Sequence, residues 1–172
     1  WGAAVAISSA LARDLQERAR ARLLLSGGST PAPVYEALSK APLEWERVDV
    51  ALVDERWLLP DDPDSNSRLV RESLLRDRAA AARFESITRP GRSIEEAVNA
   101  ANLHAQAAPG EVALGMGEDG HTASLFPGMQ NLELALSSRA AYVAVDASGC
   151  VGAGKFQRRI SLTPTGLAPA HT

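Results

Sequence analysis

The sequence predicts an α/β fold built on a largely parallel sheet. Three observations predict it. Short apolar runs alternate with segments of helical periodicity, the runs stop at glycine-rich or charged clusters, and new helices open just beyond those clusters. In such sheets ligands bind outside the carboxyl ends of the strands. The three clusters, far apart in sequence, are therefore expected to converge on one site.

The elements follow in order. Ile7, Leu11, Leu15 and Ala19 recur every four residues, with Arg13, Asp14, Glu17 and Arg18 between them, which is the pattern of an amphipathic helix. Leu23 to Leu25 is a short apolar run that stops at Ser26-Gly27-Gly28-Ser29-Thr30-Pro31. A buried strand, a tight turn and a helix through Val34, Tyr35 and Leu38 explain that order. Val48 to Val53 is a second strand, ending abruptly at Asp54-Glu55-Arg56. Pro60 to Asn66 is a polar loop, and Leu69, Val70, Leu74 and Leu75 mark the next helix. Ala79 to Ala82 reads as helix rather than linker. Ser93 and Glu96 have capping-box spacing before a helix through Val98 to Ala105. Glu111 to Leu114 is a third strand. Tyr142 to Val145 and Ile160 to Thr163 are the last strand candidates.

The chain has 172 residues, with neither an internal repeat nor a low-complexity linker, and is expected to form one domain over residues 1–172. Its 18 basic and 21 acidic side chains give a net charge of −3, which offers no electrostatic case for nucleic acid or an acidic membrane surface. A local basic site for a small anion is compatible with that balance. Cys150 is the only cysteine, so an intrachain disulfide is excluded and a reducing cytoplasm is the simplest compartment. No apolar run approaches the roughly 20 residues of a membrane helix. Trp1 to Ala12 is apolar but lacks the basic flank of a signal peptide. The first residue is Trp rather than Met, so the native start is expected to be absent or processed.

Three clusters carry the chemistry. In Ser26 to Pro31 the glycines let the backbone approach an anion, the hydroxyls add donors, and a helix N-terminus follows. A phosphate cradle and a plain strand-to-helix turn both fit. The segment is not a P-loop, because no Gly-Lys-Ser/Thr follows it, and Gly154-Lys155 lacks that context as well. Asp54-Glu55-Arg56-Trp57 places two acids and a guanidinium at a strand end. Arg56 suits a phosphate through its planar fork, and suits equally a solvated strand end with a local ion pair. Ser65-Asn66-Ser67 is positioned to cap the next helix.

The most specific cluster is Gly115-Met116-Gly117-Glu118-Asp119-Gly120-His121-Thr122-Ala123-Ser124-Leu125-Phe126-Pro127. A glycine-rich loop after a strand there presents an acid and a histidine at a helix start. Imidazole titrates near neutrality, so His121 is the candidate to take a proton from water and return it to a leaving group. His104 and His171 read as structural or surface residues. No metal-ligand spacing and no G-x-S-x-G nucleophile elbow occur.

Together, SGGSTP at 26–31, DERW at 54–57, DDPDSN at 61–66, GMGEDGHTASLFPG at 115–128 and RISLT at 159–163 resemble the 6-phosphogluconolactonase family, related in fold to the glucosamine-6-phosphate deaminases. Ser124-Leu125-Phe126-Pro127 after the histidine, together with the DERW segment, favours the lactonase branch. The resemblance implies a doubly wound, Rossmann-like α/β sheet flanked by helices, and an enzyme using no cofactor and no metal. It implies hydrolysis of a small sugar-phosphate lactone, with no nucleic-acid or membrane partner. Oligomeric state is left open.

By that resemblance His121 is the base and Asp119 orients it. Gly27, Gly28, Ser29, Thr30, Asp54, Glu55, Arg56, Asn66 and Arg159 bind the phosphorylated substrate. Family members usually continue beyond the RISLT-like segment, so a C-terminal truncation is expected. The rival readings are an amino-sugar-phosphate deaminase and a non-catalytic sugar-phosphate sensor on the same fold.

Overall fold

The computed structural model describes residues 2–27, 32–84, 86–107, 111–113, 132–146, 148, 156, 158–167 and 170–171. In chain order these form α1 (Gly2–Glu17), β1 (Ala21–Leu25), α2 (Ala32–Leu38), β2 (Val48–Leu52), β3 (Asp54–Arg56), α3 (Asn66–Ser73), β4 (Arg83–Phe84), α4 (Ile94–Ala107), β5 (Glu111–Ala113), α5 (Leu132–Ser137), β6 (Tyr142–Asp146), β7 (Arg158–Leu162), α6 (Pro164–Leu167) and β8 (Ala170–His171). The alanine run at 79–82 falls largely in a 3-10 turn, Asp77–Ala81.

Five strands make one sheet in the order β4-β2-β1-β5-β8, and every pairing in it is parallel. All five residues of β1 are buried, as a central parallel strand covered on both faces requires. That double burial is why Leu23 to Leu25 reads as an unbroken apolar run. From β1 the chain winds outward through β2 to β4, then returns to the other side of β1 with β5. The reversal between β1 and β5 is the switch point of a doubly wound sheet, the place where such folds open a ligand crevice.

Ile7, Leu11 and Leu15 of α1 are buried, matching the expected stripe. Ala19 lies beyond the helix and is exposed. Arg47 holds the chain where the helix ends: its guanidinium donates to the carbonyl oxygen of Leu15 in the last turn and to those of Arg18 and Ala19 just beyond it, at 2.7, 2.6 and 2.8 Å. The capping box at the start of α4 is reciprocal, with Ser93 N–H on Glu96 Oε1 and Glu96 N–H on Ser93 Oγ, both at 3.1 Å. No described helix is long and apolar enough to cross a membrane.

The later strand candidates do not extend the parallel sheet. β6 and β7 pair antiparallel with each other, and β7 pairs antiparallel with β3, giving a second sheet in the order β3-β7-β6. Val53 is the junction. Its N–H donates to the Leu25 carbonyl and prolongs the first sheet, while its carbonyl accepts from Leu162 N–H and begins the second, both at 2.8 Å. Asp54-Glu55-Arg56 is therefore a strand in its own right, carried past the carboxyl edge of β2.

Candidate active site

Alternation along β3 divides its three side chains. Asp54 and Arg56 point one way and Glu55 the other. Glu55 is fully buried, at 0% exposure. Its carboxylate meets the start of α3, accepting from Ser65 Oγ at 2.9 Å, Asn66 N–H at 2.8 Å, Ser67 N–H at 3.0 Å and Ser67 Oγ at 2.9 Å. Arg56 N–H adds a fifth donor at 2.9 Å. Burial holds this carboxyl above its ordinary range, and the hydrogen bonds from Asn66, Ser67 and Ser65 reduce the rise without cancelling it. Four donors at the helix N-terminus and the Arg56 N–H favour the anion. Ser65 also caps α3 through its own hydroxyl, which accepts from Ser67 N–H at 3.1 Å.

The opposite side of β3 is basic. Arg56 and Arg159 are register partners across β3 and β7. Like charges placed directly opposite repel, so this juxtaposition carries a folding cost that an anion would relieve. The Arg56 guanidinium lies 4.5 Å from the centre of the Phe156 ring and donates to the Asp64 carbonyl at 3.0 Å. Arg159 is buried, donates through Nε to the Phe156 carbonyl at 2.8 Å, and sits 3.8 Å from Asp54 Oδ2. Burial holds its guanidinium below the ordinary arginine range, with Arg56 adding to that and Asp54 opposing it.

Asn66 ties this group to the glycine turn. Its Nδ2 donates to the Asp54 carbonyl at 3.0 Å. Its side-chain amide also packs so closely on Gly27 that a Cβ built there would lie 1.9 Å from Oδ1. Glycine at 27 thus answers to a neighbouring side chain, where the sequence had suggested room for an anion. Gly27, Asn66, Asp54, Arg159 and Arg56 form one contiguous group at the carboxyl edge of β1 and β2. Gly28, Ser29 and Thr30 lie outside the described residues, as do Asp119 and His121. The segment bearing those last two follows β5, whose Ala113 is the register partner of Leu24 in β1.

Sequence reasoning gave no role to Tyr35 or Phe156. Tyr35 is fully buried and donates its hydroxyl to the Ser26 carbonyl at 2.6 Å. A tyrosine on the apolar face of a helix just after a glycine turn was the available signal.

The fold and site define a doubly wound α/β protein with paired guanidinium groups beyond its strand ends. The family model described as glucosamine-6-phosphate isomerases/6-phosphogluconolactonase matches residues 2–172, and the chain belongs to that family. It is 51% identical to a 6-phosphogluconolactonase of Xylella fastidiosa over 164 residues, covering 94% of this chain and 68% of that protein. A crystal structure of a 6-phosphogluconolactonase from Shewanella baltica superposes with a TM-score of 0.87 at 36% identity, covering 98% of this chain and 71% of that one. One described as a putative 6-phosphogluconolactonase from Neisseria gonorrhoeae gives 0.82 at 35% identity, over 97% and 73% of the two chains.

Proposed function

We propose that the chain hydrolyses 6-phosphoglucono-δ-lactone to 6-phosphogluconate in the oxidative pentose phosphate pathway, as a cytoplasmic enzyme. The observation that carries this reading is the match in sequence and fold to proteins named for that activity, at 51% identity over 94% of the chain. The site chemistry agrees with it. A phosphorylated substrate needs a remote anchor, and the Arg56–Arg159 pair supplies positive charge beyond the carboxyl edge of β2.

In this reading Arg56 and Arg159 hold the 6-phosphate together with the backbone and hydroxyl donors of Gly27, Gly28, Ser29 and Thr30. Asp54 keeps Arg159 in place. Glu55 and Asn66 act at one remove: Glu55 fixes the start of α3, and Asn66 at that start packs on Gly27. His121 takes a proton from water as the water attacks the lactone carbonyl. It then returns the proton to the ring oxygen as the carbon–oxygen bond breaks, and Asp119 orients the imidazole. Acid–base help of this kind is worth about 10²–10⁴-fold. Anchoring the phosphate keeps the carbonyl within reach of the base.

The test is incubation with the lactone and, separately, with glucosamine 6-phosphate, following acid release and ammonia release above the spontaneous rates. Acid release from the lactone alone is expected. Ammonia release without lactone hydrolysis would move the chain to the isomerase branch of its family, and silence on both substrates would favour a sensor.

A further inference from the structure

We propose that Tyr35 is a positioning residue, which with Asn66 clamps the turn at Ser26 and Gly27 so that it stands preformed for the substrate's phosphate. The inference rests on the reading of that turn as a phosphate site.

Tyr35 lies on α2, the helix that follows the turn, and its ring is in the core with no exposed surface. A phenylalanine would fill the same apolar space. Burying a phenol is unfavourable unless its hydroxyl finds a partner, so the hydroxyl needs a reason of its own. That reason is the Ser26 carbonyl, 2.6 Å away. Leu25, one residue earlier, still has its carbonyl in the sheet, bonded to Val53 N–H. Ser26 is thus the first residue past the ladder, and Tyr35 holds it there. At the next residue, Asn66 leaves no room for a side chain on Gly27. Asn66 is itself held by its 3.0 Å bond to the Asp54 carbonyl and by its N–H on Glu55. Of two consecutive turn residues, Ser26 is thereby held by a hydrogen bond from α2 and Gly27 is packed against Asn66 of α3.

A turn fixed before the ligand arrives does not have to be ordered on binding, which favours affinity without altering the reacting atoms. The expected signature of losing the clamp is weaker binding of substrate and product alike, with turnover kept.

The experiment compares the parent chain with Tyr35→Phe and Asn66→Ala. Lactone hydrolysis gives kcat and KM, and calorimetry gives affinities for 6-phosphogluconate and for gluconate, which lacks the phosphate. Each variant is expected to raise KM and the 6-phosphogluconate Kd about 3- to 10-fold, the range of one lost hydrogen bond. Turnover should stay within about twofold. Asn66→Ala gives the same readout without altering the core beneath α2, so poor folding of one variant leaves the other to decide. Unchanged KM and Kd, or a fall in kcat at constant KM, would reduce Tyr35 to a packing residue and overturn the clamp. A parent that binds gluconate as tightly as 6-phosphogluconate would overturn the phosphate reading, and the clamp with it. A parent that prefers the phosphorylated acid, with variants of equal preference and affinity, would overturn the clamp alone.

Discussion

Gly27 and Asn66 touch so closely that a single added carbon on Gly27 would sit 1.9 Å from the Asn66 side-chain oxygen. This contact joins the glycine turn after β1 to the helix start beyond β3. Gly27→Ala must therefore push the Asn66 amide away and break its bond to the Asp54 carbonyl. Overpacking of this kind destabilises by roughly 1–3 kcal/mol. Thermal unfolding of the single and double variants checks the cause. Gly27→Ala combined with Asn66→Ala should be more stable than the two separate losses predict, because removing the amide removes the clash.

Glu55→Gln keeps the shape of the side chain and removes its charge. One of its terminal atoms becomes a donor facing Ser and N–H donors at the start of α3. Charge-assisted hydrogen bonds are worth roughly 1.5–3 kcal/mol, so a stability loss of about 2 kcal/mol is expected. For a chain of this size that is a fall in Tm of about 4–8 °C. Calorimetric unfolding reads it directly, and an unchanged Tm would show that the α3 start holds without the carboxylate.

Arg56→Ala should weaken 6-phosphogluconate binding about 10- to 100-fold by removing a charge-assisted contact. The fold should survive. The variant gives up the Phe156 ring contact but also relieves repulsion on Arg159, and these changes oppose each other. Isothermal titration measures the first effect and circular dichroism the second. Equal affinity in variant and parent would remove Arg56 from the site.

The Tyr35 hydroxyl gives a pH dependence with a definite sign. Burial pushes this phenol up to about 12; hydrogen bonding from the side chain and backbone of Ser26 opposes the rise, and the Asp54 charge adds to it. Its folded-state pKa is raised above the unfolded value of about 10. Its contribution is therefore fully present below pH 10 and is lost as pH rises through 12. A rise of that size is worth about 3 kcal/mol at most. Denaturant unfolding from about pH 9 upwards, just below the ordinary phenol range, should show the parent losing stability faster than Tyr35→Phe, which has no proton to lose.

Much of the frame was legible in the sequence because it depends on local signals. The Leu23 to Leu25 run, the Ser93–Glu96 box and the Ser65 cap each state their structure within a few residues, and each is found in place. The split into two sheets was not legible. Tyr142 to Val145 and Ile160 to Thr163 read as strand candidates, but no local signal shows that Val53 hands the chain to a different set of partners. The candidate site divides in the same way. The DERW segment announced a cluster of charge, yet the opposite directions of Arg56 and Glu55 follow only once β3 is known to be a strand. The 1.9 Å approach at Gly27 depends on Asn66, distant in sequence, and no local pattern encodes it.

His121→Ala, assayed for lactone hydrolysis with the spontaneous reaction subtracted, is the most direct test of the proposed chemistry. The expected result is a fall in kcat of at least about 10²-fold, with 6-phosphogluconate affinity nearly unchanged, because the imidazole acts on water while the phosphate is held elsewhere. The parent rate should decline as pH drops through the ordinary histidine range near about 6.5, where a protonated ring can no longer accept a proton. A variant that keeps the parent rate would contradict the assignment of His121 as the base and would leave Asp119 as the acid to test next.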